Sequence, residues 1–484
     1  MIPWRLIRSA LLLFLCLLLL IQFVRYMGHY FSNDKRYKVV SNPPRPPPIH
    51  SNLPWNNQPD YWKLPSNEKI ELSYRVHGFY YAWYDAPKIS SNNDYHSIND
   101  LNNNNWTHWN HPRLRHWNAK VAIGYSTEPH YPPYLIASSF YPKLGPYSSK
   151  SRSIIHSHMK MVKFAGIGVL VVSWYPPGMA DDNGKPVDDL ILPLLNIANK
   201  YAIKICLHLE PYPKRDINTI VRDLKYMHTK GYTSHPAYYR VLVESDTNPN
   251  STLPVVYVYD SYRIKPSQWK QILQPGEATS IRDKPYDTYL IGLLLEKDDC
   301  KSLSECGFNG GYTYFVGHKI SEASSPDVWS NLKKQCSEYK VGFYPSVGPG
   351  YHDLSVRPWN GAASKERQSG DTYVRVFNQA LNSRPDGIGI VSFNEWHEGT
   401  QIEPAIPFKW FGYLTESRVY MDYSPYSPEF YLRLTRLLVN KYEHYVNLPA
   451  YYRQANESEL LELDSLIRNE GYVQQNLPRY IQTH

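Results

Sequence analysis

Two glutamates three residues apart, Glu395 and Glu398, are the side chains whose types and spacing most clearly suggest chemistry. They follow an apolar, β-branched run at residues 387–391 that is typical of a buried strand. Residues three apart on one helical turn have Cβ atoms roughly 5–6 Å apart, and retaining glycosidases hold two carboxyl groups about 5–5.5 Å apart. Acids are also favoured at helix N-termini without any catalytic role. Because Trp396 and His397 lie between the glutamates, at the end of a strand, an acid/base pair is the favoured interpretation.

Such a pair needs elements that position it, and the chain contains eight apolar runs. Several runs are separated by helix-like stretches, such as residues 188–202 and 217–230. Apolar strands that alternate with helices predict a parallel sheet, and eight such units predict a TIM-type (β/α)8 barrel of the α/β class. A doubly wound sheet is the alternative. The runs are residues 76–83, 167–174, 203–209, 254–259, 289–295, 311–315, 341–346 and 387–393.

Polar and aromatic side chains gather at the C-terminal ends of these runs. In a (β/α)8 barrel the catalytic groups come from that end of the strands, so the pattern predicts where a site would lie. Besides the two glutamates, the residues at these ends include Trp83, Trp174, His208, Glu210, Asp260, Glu296, Tyr312, Tyr314 and Tyr351.

The composition is rich in aromatic residues, with 43 Tyr and 13 Trp among 484 residues, and only 20% of the residues are charged. Such side chains combine an apolar ring with a polar tip, which suits a carbohydrate ligand; a general tyrosine bias is the alternative. The formal net charge of +8 is spread along the chain. Since no Lys/Arg block is interleaved with aromatics, we expect no nucleic-acid partner.

The N-terminus carries Arg5 and Arg8, and an apolar stretch with one polar member follows at residues 10–24. This stretch is short for a membrane span of about 20 residues, and it also matches the apolar region of a cleavable signal peptide. Because the next residues lack a small-x-small cleavage site, we predict an uncleaved transmembrane signal anchor. Basic residues flank it on both sides, so the positive-inside rule does not decide its orientation.

The segment after the anchor has the composition of a stem. Residues 42–48 are Pro-rich, which predicts an extended spacer. Three glycosylation sequons begin at Asn105, Asn250 and Asn456, and they favour a luminal body with a cytoplasmic N-terminus. The predicted division is a cytoplasmic tail at residues 1–9, the anchor at 10–24, a luminal stem at 25–73, a catalytic barrel at 74–452 and a C-terminal tail at 453–484.

Cysteine is scarce, and the five cysteines do not suggest a disulfide framework. Cys16 falls in the predicted anchor, while Cys206 lies in an apolar run that is typical of a buried side chain. Cys300 and Cys306 are close enough in the chain to close a small loop in an oxidising compartment.

Eight short motifs combine aromatic, polar and glycine residues along the predicted barrel. They are residues 79–84, 108–112, 138–145, 173–177, 208–212, 312–315, 345–351 and 394–400. Together, and in this order, they resemble the endo-α-1,2-mannosidases of glycoside hydrolase family 99. The resemblance extends from about residue 74 to about residue 442. Departures from the family pattern lie in an Asn-rich insertion, in Cys300 and Cys306 and in the C-terminal tail, and none of them touches the motifs.

The resemblance implies a Golgi enzyme of type II membrane topology with a (β/α)8 catalytic domain and no metal or other cofactor. It implies cleavage at the Man-α-1,2-Man bond inside glucosylated high-mannose N-glycans of glycoproteins, with retention of configuration and release of a glucosyl-mannose unit. The sequence itself contains neither HExxH nor a His/Cys cluster of zinc spacing.

The family also implies roles for the two glutamates. Glu395 would be the base at the 2-hydroxyl, so that the 2-oxygen attacks C1 and a 1,2-anhydro sugar forms. Glu398 would protonate the departing oxygen and then deprotonate water. Direct nucleophilic attack by Glu395 is the simpler interpretation of two close carboxylates, and both routes stay open. Since an acid must hold its proton near the working pH, Glu398 is expected to have the higher pKa.

Further residues are predicted to bind the substrate or to brace the site. Trp174 resembles the aromatic face that the family offers to the outermost, glucosyl sugar, and residues 176–186 are expected to form a mobile loop beside it. For His397, a bracing role is favoured over a metal ligand. The predicted substrate-binding residues are Tyr81, Trp174, Glu210, Tyr312, Tyr314, Trp396 and His397, with Asp260 and Glu296 as further candidates.

Two other functions fit parts of the pattern. A hydrolase of α-1,2-branched mannan would use the same site, but its substrate is extracellular and polymeric, and the predicted anchor argues against it. A glycan-binding lectin on the same barrel would need no acid/base pair, so the presence of both Glu395 and Glu398 argues against that function.

Overall fold

The computed structural model describes residues 70–87, 106–243, 251–317, 320–411 and 417–447. The predicted anchor, both predicted tails, nearly all of the stem and the three sequon asparagines lie outside these ranges. None of the helices in these ranges combines the length and the hydrophobicity of a membrane span.

Strands and helices alternate through most of the described chain. The strands are β1 Ser73–Tyr80, β2 Tyr141–Pro142, β3 Ile167–Trp174, β4 Lys204–Leu209, β5 Arg240–Leu242, β6 Thr252–Val258, β7 Tyr289–Leu293, β8 Gly310–Tyr312, β9 Gly342–Tyr344, β10 Ser346–Val347, β11 Ile388–Ile390, β12 Ala405–Ile406, β13 Lys409–Phe411 and β14 Ser417–Val419. The helices are α1 Ala119–Ala122, α2 Arg152–Phe164, α3 Ile191–Lys200, α4 Ile217–Thr229, α5 Pro266–Leu273, α6 Asp299–Cys306, α7 Trp329–Glu338, α8 Asp371–Asn382 and α9 Phe430–Asn447.

The centre of the fold is a ring of parallel strands. They pair in the order β10–β11–β1–β3–β4–β6–β7–β8–β9, and β9 and β10 are separated by Pro345 alone. These two short strands therefore occupy one position, which brings the end of the series back to its start. The (β/α)8 prediction is confirmed, and each of the eight predicted runs supplies a strand of the ring. The doubly wound alternative is wrong, because such a sheet has two open edges.

Aromatic side chains fill the interior of the ring. Phe79 packs against Tyr257 and Tyr312, with ring centroids 5.8 and 6.0 Å apart, and these residues belong to strands that are not neighbours. The tyrosine hydroxyls bond to buried histidines: Tyr257 to His77 at 2.6 Å and Tyr312 to His208 at 2.7 Å. Burying a polar group is costly unless it is hydrogen-bonded. Part of the tyrosine content therefore serves the core and not a ligand.

The helices cover the outside of the ring, where the sequence predicted them. Helix α2 buries Ile155, Met159 and Val162, which recur at helical spacing. Helix α4 begins with a reciprocal cap, in which Asp216 Oδ1 accepts from the Thr219 backbone N–H at 2.8 Å and Thr219 Oγ1 accepts from the Asp216 N–H at 2.9 Å. Such caps satisfy backbone donors that the first helical turn leaves free.

Cys300 and Cys306 do not pair with each other, a possibility that the sequence left open. Cys300 forms a disulfide with Cys336, which joins α6 to α7, and Cys306 is a buried free thiol. Cys300 and Cys306 both belong to α6. Six residues of helix rise about 9 Å, beyond the roughly 7 Å between Cα atoms that a disulfide can bridge. The buried free Cys206 agrees with its prediction.

Candidate active site

Glu395 and Glu398 lie on a tight turn that follows β11 at the C-terminal end of the ring. The turn is not helical, unlike the geometry assumed from the sequence. Its start is fixed because Ser392 Oγ accepts a hydrogen bond from the Glu395 N–H at 2.7 Å. Its end needs a glycine: Gly399 has a φ of +61°, and an added Cβ would lie 2.7 Å from the carbonyl oxygen of His352.

Glu395 is the more deeply buried of the pair. Its Oε2 atom has no hydrogen-bond partner among the described residues. Burial raises the pKa of Glu395 well above its usual value, and the charge of Glu398 raises it further. A buried carboxylate oxygen without a partner is costly, so a ligand hydroxyl that donates to this oxygen would be bound favourably.

Glu398 is less buried than Glu395, and its side chain is 21% exposed. Burial raises its pKa to about 7, although Arg357 opposes the shift, with Nη1 3.7 Å from Oε1. Asp353 holds Arg357 in place through a 3.1 Å hydrogen bond. Burial therefore raises the pKa of both carboxyls, and the higher pKa of Glu398 stays a prediction.

Two of the predicted tyrosines stand beside the glutamate pair. The hydroxyls of Tyr81 and Tyr314 are hydrogen-bonded to each other. Burial and the charge of Glu395 raise the pKa of Tyr81, and burial and nearby groups that include Glu398 raise that of Tyr314. Asn394 fixes the backbone of Tyr81, because its Oδ1 accepts from the Tyr81 N–H and its Nδ2 donates to the Tyr81 carbonyl, both at 2.8 Å. Both tyrosines therefore stay neutral hydrogen-bonding groups.

Glu210, which follows β4, faces the same site, since its charge contributes to the raised pKa of Glu398. Its Oε1 lies 3.2 Å from His208 Nδ1, and His208 Nε2 contacts the hydroxyl of Tyr312 at 2.7 Å. Tyr312 has no exposed surface. Direct contact between Tyr312 and a substrate is therefore a wrong prediction, and Tyr312 orients His208 instead.

Two predicted tryptophans are also fully buried. The Trp174 N–H donates to Asp188 Oδ1 at 2.8 Å, and its ring stacks with Tyr226 of α4 at a centroid distance of 6.5 Å. The Trp396 N–H donates to Glu403 Oε2 at 3.0 Å. A ring without exposed surface offers no face to a sugar, so the predicted substrate contacts of both tryptophans are wrong. They brace the strand ends on which the site is built.

Tyr175, next to Trp174, has its ring on the site side. Side chains alternate across an extended segment, and Tyr175 is 9% exposed, whereas Trp174 is not exposed at all. Burial and the charges of Glu210 and Asp181 raise the pKa of Tyr175. Its hydroxyl lies near carboxylates of the site. Tyr175, and not Trp174, is therefore the ring that faces the site.

His397 is held from both of its ring nitrogens. Its Nδ1 contacts the Ala137 carbonyl oxygen at 2.8 Å, and its Nε2 lies 3.2 Å from His108 Nδ1. His108 Nε2 lies 3.6 Å from Asp181 Oδ1. Burial lowers the pKa of both histidines. These contacts favour the bracing role for His397, and they link the catalytic turn to the loop that carries Asp181.

The two further candidates have different surroundings. Asp260 is buried and pairs with Arg263, with Nε 2.7 Å from Oδ2. Glu296 is exposed, and a hydrogen bond with Glu322 raises its pKa. Asp260 is therefore placed to brace a strand end, whereas Glu296 lies at the surface.

Several charged residues that support the turn were missed at the sequence level. The Arg367 guanidinium donates from Nη2 to the carbonyls of Gly399 and Gln401 at 2.9 and 2.8 Å. Glu403 has no exposed surface and accepts from the Tyr147 hydroxyl at 2.8 Å as well as from Trp396. An acid inside the apolar segment 402–406 was a usable signal for Glu403. Arg357 and Arg367 come from the connection after β10, where they follow the motif at residues 345–351 and belong to no motif.

The described residues include no group of three or more His, Cys, Asp or Glu side chains that could hold a metal ion. What the site does contain is a pair of carboxyls with raised pKa, flanked by neutral tyrosines, at the C-terminal end of a (β/α)8 barrel. Paired carboxyls at this position are the machinery of glycoside hydrolysis. The fold and the site together define the class of glycoside hydrolases.

Comparison with protein families narrows the class. The model of glycosyl hydrolase family 99 matches residues 71–444, and the chain belongs to this family. It is 43% identical over 371 residues to the glycoprotein endo-alpha-1,2-mannosidase of Mus musculus, covering 77% of this chain and 75% of that protein. It is 43% identical over 381 residues to the protein of the same name from Xenopus laevis, covering 79% and 80% of the two chains.

Solved structures agree with this assignment. The GH99 endo-alpha-mannosidase from Bacteroides thetaiotaomicron is 32% identical in sequence and matches with a TM-score of 0.65, covering 77% of this chain and 98% of that one. A structure of the same bacterial enzyme with bis-tris-propane matches with a TM-score of 0.62. The barrel therefore has the fold of the family.

Proposed function

We propose that this protein is a retaining endo-α-1,2-mannosidase. Its substrates are glucosylated high-mannose N-glycans of glycoproteins, in which it cleaves the Man-α-1,2-Man bond and releases a glucosyl-mannose unit. The observation that carries the proposal is the turn after β11, which presents Glu395 and Glu398 together with raised pKa values. The names of the relatives from Mus musculus and Xenopus laevis support the choice of bond.

Glu395 is suited to be the base of the first step. In an α-mannoside the leaving group at C1 and the 2-hydroxyl are axial on opposite faces, so the 2-oxygen attacks C1 in line once its proton is removed. The raised pKa makes the Glu395 carboxylate a stronger base. Its unpartnered Oε2 can accept the hydrogen bond of the 2-hydroxyl, and that bond favours the ionised form of Glu395 in the complex.

Glu398 is suited to be the acid. A pKa of about 7 lets it hold a proton near neutral pH and give that proton to the departing oxygen. The products of this step are the shortened glycan and a 1,2-anhydro sugar. Glu398 then takes a proton from water, the water oxygen attacks C1, and the 2-oxygen recovers its proton from Glu395. Two inversions at C1 leave the configuration unchanged.

The glycosyl-enzyme route uses the same residues. In that route Glu395 attacks C1 itself, and Glu398 again serves as acid and then as base. The deep burial of Glu395 and its position on one turn with Glu398 are compatible with both routes. The routes differ in the group that attacks C1, which is the 2-oxygen of the substrate in one and Glu395 in the other.

The direct test of the function is product analysis. The full chain is incubated with a glucosylated high-mannose N-glycan, and the released sugar is identified by mass and by comparison with standards. Release of a glucosyl-mannose disaccharide with retained configuration is expected. Release of single glucose or mannose units, or binding without release, would overturn the proposal, and binding alone would indicate a lectin.

Replacing Arg357 by Met is expected to move the apparent pKa near 7 in the pH profile of kcat/KM to a higher pH. The positive charge of Arg357 favours the ionised form of Glu398, so its removal raises the pKa of Glu398. The measurement is kcat/KM between pH 5 and 9 for wild type and variant. Arg222, which is exposed on α4 and pairs with Asp223, is the matched control, and Arg222→Met should leave the profile unchanged. If the pH profile of Arg357→Met does not shift, the charge of Arg357 does not influence the pKa of Glu398 that governs activity.

We also propose that the barrel lies in the lumen of the Golgi apparatus, tethered by a type II signal anchor at residues 10–24. The three sequons favour a glycosylated body. The Cys300–Cys336 disulfide favours an oxidising compartment, since disulfides are rare in the cytosol. The substrate proposed above is itself a luminal glycoprotein glycan.

The orientation predicts that the expressed protein loses apparent mass when its N-glycans are enzymatically removed. In sealed vesicles the barrel should resist protease added from the cytosolic side, and only the short tail before residue 10 should be accessible. No mass change, together with digestion of the barrel from the cytosolic side, would reverse the orientation. A triple variant of Asn105, Asn250 and Asn456 to Gln is the control, because it should show no mass change in the intended topology.

A further inference from the structure

A large part of the exposed apolar surface lies in two segments of the structure. Fourteen large hydrophobic side chains are exposed among the described residues. Eight of them belong to residues 114–131 or to the hairpin strands β13 and β14. Trp410 of the hairpin stacks on Tyr134, three residues beyond the first segment, at a centroid distance of 4.8 Å, so the hairpin lies beside the end of that segment. The eight are Leu114, Trp117, Val121, Ile123, Tyr125, Tyr131, Phe411 and Val419.

These segments belong to connections that leave the C-terminal ends of β1 and β11. Strands β10, β11 and β1 are neighbours in the ring, and β11 leads directly into the turn with the glutamate pair. The exposed segments are therefore on the catalytic face of the barrel. Large contiguous apolar patches on a protein surface commonly mark binding sites.

Three rings form a cluster at one part of this surface. Trp117, which is 81% exposed, stacks on His116 at a centroid distance of 3.8 Å. Trp359 meets Trp117 edge-on at 5.1 Å, with an interplanar angle of 83°. The Trp359 N–H donates to the Leu114 carbonyl at 2.9 Å, which fixes its position. His116, Trp117 and Trp359 are called the aromatic platform below.

The aromatic platform is tied to the loop that controls Glu398. Trp359 follows Arg357 by two residues, and Arg357 pairs with Glu398. Asp353 accepts hydrogen bonds from Arg357 and from Asn360 at 3.1 and 2.8 Å, so the loop is fixed on both sides of Trp359. Glu398 protonates the departing oxygen in the proposed function. The loop that carries Trp359 therefore also carries the cation beside the group that acts on the departing part of the substrate.

We propose that the aromatic platform binds mannose residues of the departing glycan, beyond the sugar at the cleaved bond. The inference rests on the proposed function, because only endo-cleavage leaves a large glycan on this side. Sugar rings have apolar faces that pack on aromatic rings, and the platform offers one strongly exposed indole next to a second indole fixed at a right angle. A substrate that extends to the platform gains contacts that a short substrate lacks, and such remote contacts can be used to lower the barrier of the reaction.

The test compares two substrates and three variants of the full chain. The long substrate is the intact glucosylated high-mannose glycan, and the short one is a trisaccharide of one glucose and two mannoses. Trp117→Ala is expected to lower kcat/KM for the long substrate by roughly 5- to 100-fold, the usual range for truncating an anchoring aromatic side chain. It should leave the short substrate unchanged. Trp117→Tyr retains a ring and should recover most of the loss.

Ile123 provides the matched control, because it is 87% exposed on the same surface but has no ring. Ile123→Ser should leave both substrates unchanged. If wild type cleaves both substrates and Trp117→Ala changes neither, or changes both equally, the platform proposal is wrong. If the loss appears only on an intact glycoprotein, or only when the protein is in a membrane, the surface binds polypeptide or lipid and the proposal is also wrong. Failure of wild type to release a glucosyl-mannose unit from either substrate would instead overturn the proposed function.

Discussion

Replacement of Glu398 by Gln is expected to lower kcat on the natural glycan by about 10²–10⁴-fold, the usual contribution of general acid–base catalysis. Glutamine keeps the size of the side chain but cannot deliver a proton to the departing oxygen. A substrate whose leaving group needs no protonation should lose much less activity in the first step. The measurements are kcat and kcat/KM for both kinds of substrate, with the unfolding temperature recorded to show that the fold is intact.

The control for this prediction is Glu296→Gln. Glu296 also follows a strand of the ring, but it is exposed beside Glu322 and should tolerate the change. Wild-type turnover of the natural glycan by Glu398→Gln would remove Glu398 from the mechanism. Equal losses on natural and activated substrates would show that Glu398 has a role other than protonating the leaving group.

Replacement of Glu395 by Gln is expected to abolish turnover to a similar or greater extent, and the loss should not depend on the leaving group. Whether Glu395 acts as base or as nucleophile, an amide can do neither, and a better leaving group does not supply the missing electron pair. The contrast between the two variants across one pair of substrates therefore assigns the two roles. If Glu395→Gln regained activity on an activated substrate, Glu395 would be the acid, and Glu398 would be the base or nucleophile.

A substrate that lacks the 2-hydroxyl of the cleaved mannose distinguishes the two routes in the wild-type protein. The anhydro route has no nucleophile in that substrate, so neither turnover nor a covalent adduct is expected. The glycosyl-enzyme route predicts turnover of this substrate through an adduct on Glu395, because its nucleophile does not depend on the 2-hydroxyl.

The parts of the structure that sequence reasoning predicted well depend on continuous patterns. The run at residues 167–174 became strand β3 with all eight residues buried, because a strand covered on both sides must be apolar throughout. The glutamate turn was placed correctly for a related reason: a polar motif that directly follows a buried strand can only lie at the strand's end.

One kind of error concerns the face of an extended segment on which a side chain lies. Trp174 and Tyr175 are adjacent, and a shift of one residue exchanges the two faces of an extended segment. An apolar run that is buried on both faces gives no alternation from which to choose. The raised pKa values of the two glutamates could not be read from the sequence, since they depend on how deeply each glutamate is buried and on Arg357, which lies about forty residues before Glu398 in the chain. Disulfide partners likewise depended on where α6 and α7 meet in space.

The glutamate turn and the aromatic platform lie on different connections of the barrel, and this separation determines how such an enzyme can diversify. The bond-breaking groups come from the connection after β11, whereas the rings of the aromatic platform come from the connections after β1 and β10. Mutations in residues 114–125 can therefore alter which branched glycans are accepted while the acid and base keep their geometry. Exchange of this segment between relatives is a practical route to enzymes with new acceptor preferences on an unchanged catalytic centre.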